Sequence, residues 1–263
     1  MSLHGAFPII SFLHVPGKMS KPLWLMLGTA FAIEPPVSVP NVTLLLTAKH
    51  TFLPWLYVDA ADKVKIPEEF RKSRYVIGKL YDPRTLGTTP LVSEEVGIAS
   101  IHPTLDAALL VAQQRGEEKI AFTKRLTLNY EVGPTTTAEI VGFRGEGQLG
   151  ELDTLDSNLL EKLPVEERNK LLKLMENVEG RHVETRTSVE IVTPEGMCRG
   201  LTAKDRCFHG MSGAPLISED RCVGLLYGKH PQYRENYGFV PLPLLEVWIK
   251  ENAMRLAKQE ASG

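Results

Sequence analysis

Apolar residues recur along the first half of the chain in short runs, each cut off by proline, glycine or a polar cluster. The clearest are Leu23–Ile33, Val42–Ala48, Tyr75–Leu80, Leu109–Val111 and Ala138–Phe143. Short runs at this modest spacing predict antiparallel sandwiches or barrels rather than a repeated strand–helix–strand unit. Later in the chain, strands are expected at Cys222–Tyr227 and Tyr237–Pro241, and Pro215-Leu216-Ile217 starts another. Two regions carry a helical period instead. Leu171, Leu174, Met175 and Val178 recur among charges, with Pro164 placed near a helix start and Gly180 near its end. This predicts a helical insertion near 156–180, read as a peripheral helix burying one apolar stripe. In the C-terminal tail Leu244, Leu245, Trp248, Ile249 and Met254 fall on one face, which predicts a closing helix packed on the sheets. The chain is thus expected to be mainly β, without internal sequence repeats.

With 263 residues it has material for one large or two small domains. Its 43% hydrophobic and 24% charged residues are those of a soluble globular protein. A net charge of −2 and no basic cluster interleaved with aromatics argue against a nucleic-acid partner. Leu23–Ala32 is too short to span a bilayer, and the stretch Phe7–Leu13 is interrupted by Pro8 and Ser11 with no basic region before it. No membrane association is expected, and an intracellular, cytoplasmic location is. Cys198, Cys207 and Cys222 are too few for a disulfide framework. Cys207 with Cys222 is the pair that would bridge, and three reduced thiols are the plainer expectation. No His, Cys or acid cluster has metal-ligand spacing, so neither metal nor cofactor is expected.

Candidate chemistry centres on Gly210-Met211-Ser212-Gly213-Ala214-Pro215-Leu216. A serine framed by glycines sits on a side-chain-poor turn, where its hydroxyl projects and backbone N–H groups converge; acyl transfer needs both. Glycine and serine also make ordinary turns, so partners must decide. Of the seven histidines, His50 ends the apolar run Leu44-Leu45-Leu46-Thr47-Ala48-Lys49, a rigid support suited to a general base. Asp106 directly precedes the apolar run Ala107-Ala108-Leu109-Leu110-Val111, which places its carboxylate where burial demands a hydrogen-bonding partner. A histidine Nδ1–H is one such partner.

Together these segments resemble the chymotrypsin-like (trypsin-fold) serine proteases. Thr47-Ala48-Lys49-His50 matches the family's Thr-Ala-x-His, Asp106-Ala107-Ala108-Leu109-Leu110 its Asp-x-Ala-Leu-Leu, and Gly210 to Leu216 its Gly-x-Ser-Gly-x-Pro-Leu. The order His, Asp, Ser is also the family's. Gly28-Thr29-Ala30-Phe31 resembles its Gly-Ser/Thr-Gly/Ala-Phe strand before the histidine, and Gly238-Phe239-Val240-Pro241 resembles the Gly-Phe-Ala-Ile-Pro strand of the HtrA-like branch. The likeness spans about residues 20–245.

The resemblance implies two antiparallel six-stranded barrels. The N-terminal one would occupy residues 1–125 and carry His50 and Asp106; the C-terminal one, 126–263, would carry Ser212, the insertion and the closing helix. It implies a serine endopeptidase working through an acyl-enzyme on a protein or peptide substrate, without cofactor. Ser212 would be the nucleophile, His50 the base and then the acid, Asp106 the orienting carboxylate, and the N–H groups of Gly210 and Ser212 the oxyanion hole. The substrate pocket would draw on Arg206, Phe208 and His209 before the serine and on Leu226 and Tyr227 after it. Arg206 at the pocket base would favour an acidic P1 side chain. Turned to solvent, it would leave an apolar pocket lined by Phe208 and Leu226.

One departure stands out. Met211 occupies the position where activated trypsin-like enzymes carry an aspartate paired with a new N-terminal amine, and no Ile-Val-Gly-Gly-like activation site precedes the first strand. The turn must then be ordered in another way, for instance by an activating protein partner. Left unordered, it would make the chain a latent or inactive pseudoprotease acting as a protein-binding module. The roughly twenty residues after Pro241 do not accommodate the PDZ domain that HtrA-like enzymes usually add.

Overall fold

The computed structural model describes residues 5–20, 22–56, 66–86, 92–113, 120–131, 137–145, 182–230, 232, 233 and 235–262. The helical insertion expected near 156–180 lies outside them. The described chain forms two closed six-stranded barrels, antiparallel throughout. The first contains β1 (Ala6–Leu13), β2 (Leu23–Ala32), β3 (Val42–Thr47), β4 (Val76–Tyr81), β5 (Ser93–Ile101) and β6 (Ala108–Gln113), in the order β1-β2-β3-β6-β5-β4. The second contains β7 (Thr137–Gly145), β8 (His182–Thr193), β9 (Met197–Gly200), β10 (Pro215–Ser218), β11 (Arg221–Lys229) and β12 (Tyr237–Pro241). Its order, β7-β8-β9-β12-β11-β10, repeats the topology of the first barrel although no sequence repeat marks it.

The solid apolar run of β3 follows from its place in the molecule. Leu45 points into the first barrel with Ala30, Phe52 and Leu110. Leu44 and Leu46 point the other way, into a cluster shared with Phe143, Leu225 and Val240 of the second barrel. A strand buried on both faces loses the alternation of polar and apolar positions. Pro8, which interrupts the apolar run in β1, falls where β1 pairs with β2 but its register with β4 has not begun, a stretch that tolerates a missing N–H.

The closing helix α1 spans Glu246–Ser262. Its buried stripe is Ile249 and Ala253, continued by Leu245 just ahead of the helix, with Trp248 partly covered. Leu244 and Met254, expected on the same face, are instead 56% and 44% exposed. Leu244 ends the short turn before the helix, and Met254 stands about 100° round the axis from Ala253. Residues 120–131 strap the two barrels together: Leu126 bridges to Ile33 and Leu128 to Cys222. No helix among the described residues is long and apolar enough to cross a membrane.

Candidate active site

His50 follows the end of β3 on a single 3-10 turn, Lys49–Thr51. The turn is closed by Thr51 N–H on the Ala48 carbonyl and Phe52 N–H on the Lys49 carbonyl, and the Phe52 ring, fully buried in the first barrel, pins it. Asp106 lies on the bend between β5 and β6. That bend is wound around His102, whose Nδ1 accepts the N–H of Leu105 at 2.9 Å and of Thr104 at 3.3 Å. Burial, and then the nearby Lys49 ammonium, lower the His102 pKa, which favours the neutral ring that can accept in this way. Lys49, itself buried, donates to the His102 carbonyl at 3.2 Å and so ties the His50 turn to the Asp106 bend.

The two expected partners meet. Asp106 Oδ1 accepts the His50 backbone N–H at 2.9 Å, while Oδ2 lies 2.6 Å from His50 Nδ1. An ionised carboxylate only accepts, so Nδ1 must carry the proton and Nε2 is left as the basic nitrogen. Both side chains are a little over one-tenth exposed, so the pair is largely shielded from water.

Two linked turns that share Met211, 208–211 and 211–214, lead into and through Ser212. Met211 N–H donates to the Phe208 carbonyl at 3.1 Å, and Ala214 N–H to the Met211 carbonyl at 2.9 Å. In each turn the third residue is a glycine at positive φ, Gly210 at +91° and Gly213 at +90°, while the second is not, which is the type II pattern. The three-residue spacing of the glycines is therefore the spacing of two linked turns. Gly213 meets a second demand: a Cβ there would lie 2.1 Å from the Thr29 carbonyl oxygen and 2.9 Å from the Ala48 nitrogen. The serine turn is pressed onto the strand ends of the first barrel, next to the His50 turn. Among the described residues, neither Gly210 N–H nor Ser212 N–H donates to a backbone carbonyl.

Met211 is fully buried among Ile140, Val189, Leu216, Leu226 and Phe239 in the interior of the second barrel. Its Sδ accepts the Phe208 N–H at 3.3 Å. Packing and a sulfur acceptor thus occupy the place of the aspartate ion pair. Of the expected pocket residues, Leu226 is buried in that same interior, with Cys207 packed against it. Phe208 and His209 are exposed, and the Arg144 guanidinium lies 5.1 Å from the Phe208 ring centre. Arg206 is exposed, with Nε on the Ala203 carbonyl at 3.2 Å. Tyr227 is half-buried over Gly238, and burial, then the Asp106 charge, raise its pKa. All three cysteines are free thiols, and burial pushes each pKa up, that of Cys198 to about 12. No group of metal-ligating side chains occurs among the described residues.

The roles of Lys49 and His102 carry no mark in the sequence, and that of Met211 is marked only as a departure from the family pattern. A buried lysine at a strand end and a histidine accepting from its own bend depend on the fold around them.

No protein-family model matches the chain, and no curated protein does. Among solved structures it is similar to the Rv3671c protease from M. tuberculosis in its active form, with a TM-score of 0.50 and 14% identity over 93% of this chain and 79% of that one. It is also similar to GrC, with a TM-score of 0.50 and 13% identity over 94% of both chains. A structure of Deg5 overlaps at a TM-score of 0.49, with 12% identity over 94% of this chain and 87% of that one. At such identities the likeness is one of fold: the chain has the chymotrypsin-like serine protease fold, two six-stranded barrels and a closing helix.

Proposed function

We propose that the protein is a serine endopeptidase. The observation that carries this reading is the His50–Asp106 pair at 2.6 Å, held beside a serine turn whose two expected oxyanion donors, Gly210 N–H and Ser212 N–H, reach no backbone carbonyl among the described residues. Ser212 Oγ attacks the scissile carbonyl carbon while His50 Nε2 takes the hydroxyl proton. The carbonyl π electrons move to oxygen, where the N–H groups of Gly210 and Ser212 stabilise the charge. Collapse of this intermediate breaks the C–N bond, and His50 returns the proton to the leaving amine. Water then repeats the sequence on the acyl-enzyme, and Asp106 stabilises the imidazolium in both halves.

Arg206 turned outward supports an apolar P1 preference over an acidic one. Three free thiols, two of them buried, accord with a reducing compartment and support an intracellular setting. The test is covalent labelling by a fluorophosphonate probe. Ser212 is expected to be labelled, with the label lost in Ser212→Ala, and a peptide library is expected to show no gain for Asp or Glu at P1. A folded protein that stays unlabelled, with and without peptide substrates, sinks the reading and leaves the binding module.

A further inference from the structure

We propose that Thr29, on β2 of the first barrel, is the positioning residue that sets the oxyanion turn of the second. The proposal rests on the endopeptidase reading above. Thr29 is fully buried, and every polar atom it has is committed. Its N–H donates to the Ser212 carbonyl at 2.8 Å. Its Oγ1 donates to the Gly210 carbonyl at 2.9 Å and accepts the Phe143 N–H at 3.0 Å. Its carbonyl accepts from Thr47 Oγ1 at 2.8 Å. A hydroxyl has one proton, so the direction of the chain is fixed: Phe143 N–H to Oγ1, and Oγ1–H to Gly210.

These bonds hold the carbonyls of Gly210 and Ser212, which bracket the Met211–Ser212 peptide. The same residue reaches β7 through Phe143 and, through Thr47, the strand that leads to His50. A type II turn and its type I alternative differ by a flip of the central peptide, here His209–Gly210, which swings Gly210 N–H between opposite faces. Fixing the Gly210 carbonyl on the far side of that residue holds its φ at +91°. The nucleophile, one oxyanion donor and the base are thereby referenced to one residue, the donor through its side chain and the other two through its backbone, and no amine released by proteolysis is required.

The hydroxyl can be tested apart from the N–H, because Thr29→Val keeps the shape and the bond to Ser212. Thr29→Val is expected to lower kcat and the fluorophosphonate labelling rate about 10²-fold, the loss typical of one misplaced oxyanion donor, with KM within about twofold. Thr29→Ser, which restores the hydroxyl, is expected to recover both to within about fivefold. A valine variant with unchanged kcat overturns the proposal. So does a loss that the serine variant fails to repair, or one that merely tracks the melting temperature. If the valine variant does not fold, Thr29→Cys, of similar size with only a weak donor, is measured instead against the same expectations. A crystal structure of the substituted full chain gives a readout independent of turnover: Gly210 is expected to leave positive φ, and an unmoved Gly210 overturns the clamp. Should wild type itself go unlabelled, the endopeptidase reading fails, and this structural readout still decides the clamp.

Discussion

Met211 offers a direct way to separate what packs the serine turn from what hydrogen-bonds it. Met211→Ala deletes Cγ, Sδ and Cε from a side chain with no exposed surface, inside the apolar cluster of the second barrel. Buried Met→Ala changes cost about 2–5 kcal/mol, because lost transfer energy adds to the cavity left behind. Taking about 3 kcal/mol, and roughly 2–4 °C per kcal/mol for a chain of this size, the melting temperature should fall by about 6–12 °C. Met211→Leu nearly conserves volume and should cost under about 1.5 kcal/mol, yet it removes the acceptor for the Phe208 N–H. Phe208 is 41% exposed, so water can take over that donor and the lost bond adds little to unfolding. The turn nevertheless loses a tether two residues before Gly210, and labelling of Ser212 should slow about tenfold. Met211→Asp should be the worst of the three, since a buried carboxylate without its cation is strongly destabilising. Urea unfolding and fluorophosphonate labelling rates, measured on the same preparations, separate the two effects. Alanine and leucine variants with equal melting temperatures would refute the packing argument. An alanine variant as stable and as readily labelled as wild type would show that the turn is ordered from elsewhere.

Two further substitutions probe the partners of the serine. Asp106→Asn should keep the bend but lose the charge and invite the wrong imidazole tautomer; kcat for a peptide substrate should fall about 10⁴-fold. A loss of less than tenfold would remove Asp106 from the machinery. His102 has its pKa lowered by burial and by Lys49, so as pH falls below the ordinary histidine value of about 6.5 the unfolded chain takes up a proton before the folded one does. The stability that neutral His102 supports is complete above that pH and is lost as pH falls towards the lowered value. His102→Asn, which can still accept from the bend, should therefore narrow the difference in melting temperature between pH 7.5 and pH 5.5. An unchanged difference would refute the assignment.

What the sequence discloses here depends on the range of the interaction. β3 and β12 were legible because a strand buried on both faces, or ended by a proline, writes its environment into consecutive residues. The double barrel was legible through resemblance, and strand order bears it out. β8 and β9 were not anticipated. The twelve residues of β8 alternate charged, hydroxyl and apolar side chains, since one face is open to solvent, and no solid apolar run results. The helical period marks the C-terminal helix but sets its buried face slightly off. Leu244 is as apolar as Leu245, and only the turn that precedes the helix distinguishes them.

The candidate site divides along the same line. His50, Asp106 and Ser212 each sit at the edge of an apolar run, so local pattern marks them. What brings them together is not local: the Thr29 hydroxyl and the Gly210 carbonyl are 181 positions apart in the chain. The segment Gly28-Thr29-Ala30-Phe31 is marked only by resemblance, and a clamping role for Thr29 is not readable from it, because its partners are three backbone groups and one hydroxyl, whose residue identities carry no trace of the contact. Gly213 shows the converse. Its absent side chain is readable, yet the cause is the Thr29 carbonyl, whose oxygen would lie 2.1 Å from any Cβ. The glycine and the threonine are two sides of one contact between the barrels. If Thr29 sets the oxyanion turn, order at the nucleophile depends on docking of the first barrel against the second, and the turn should loosen wherever that interface does.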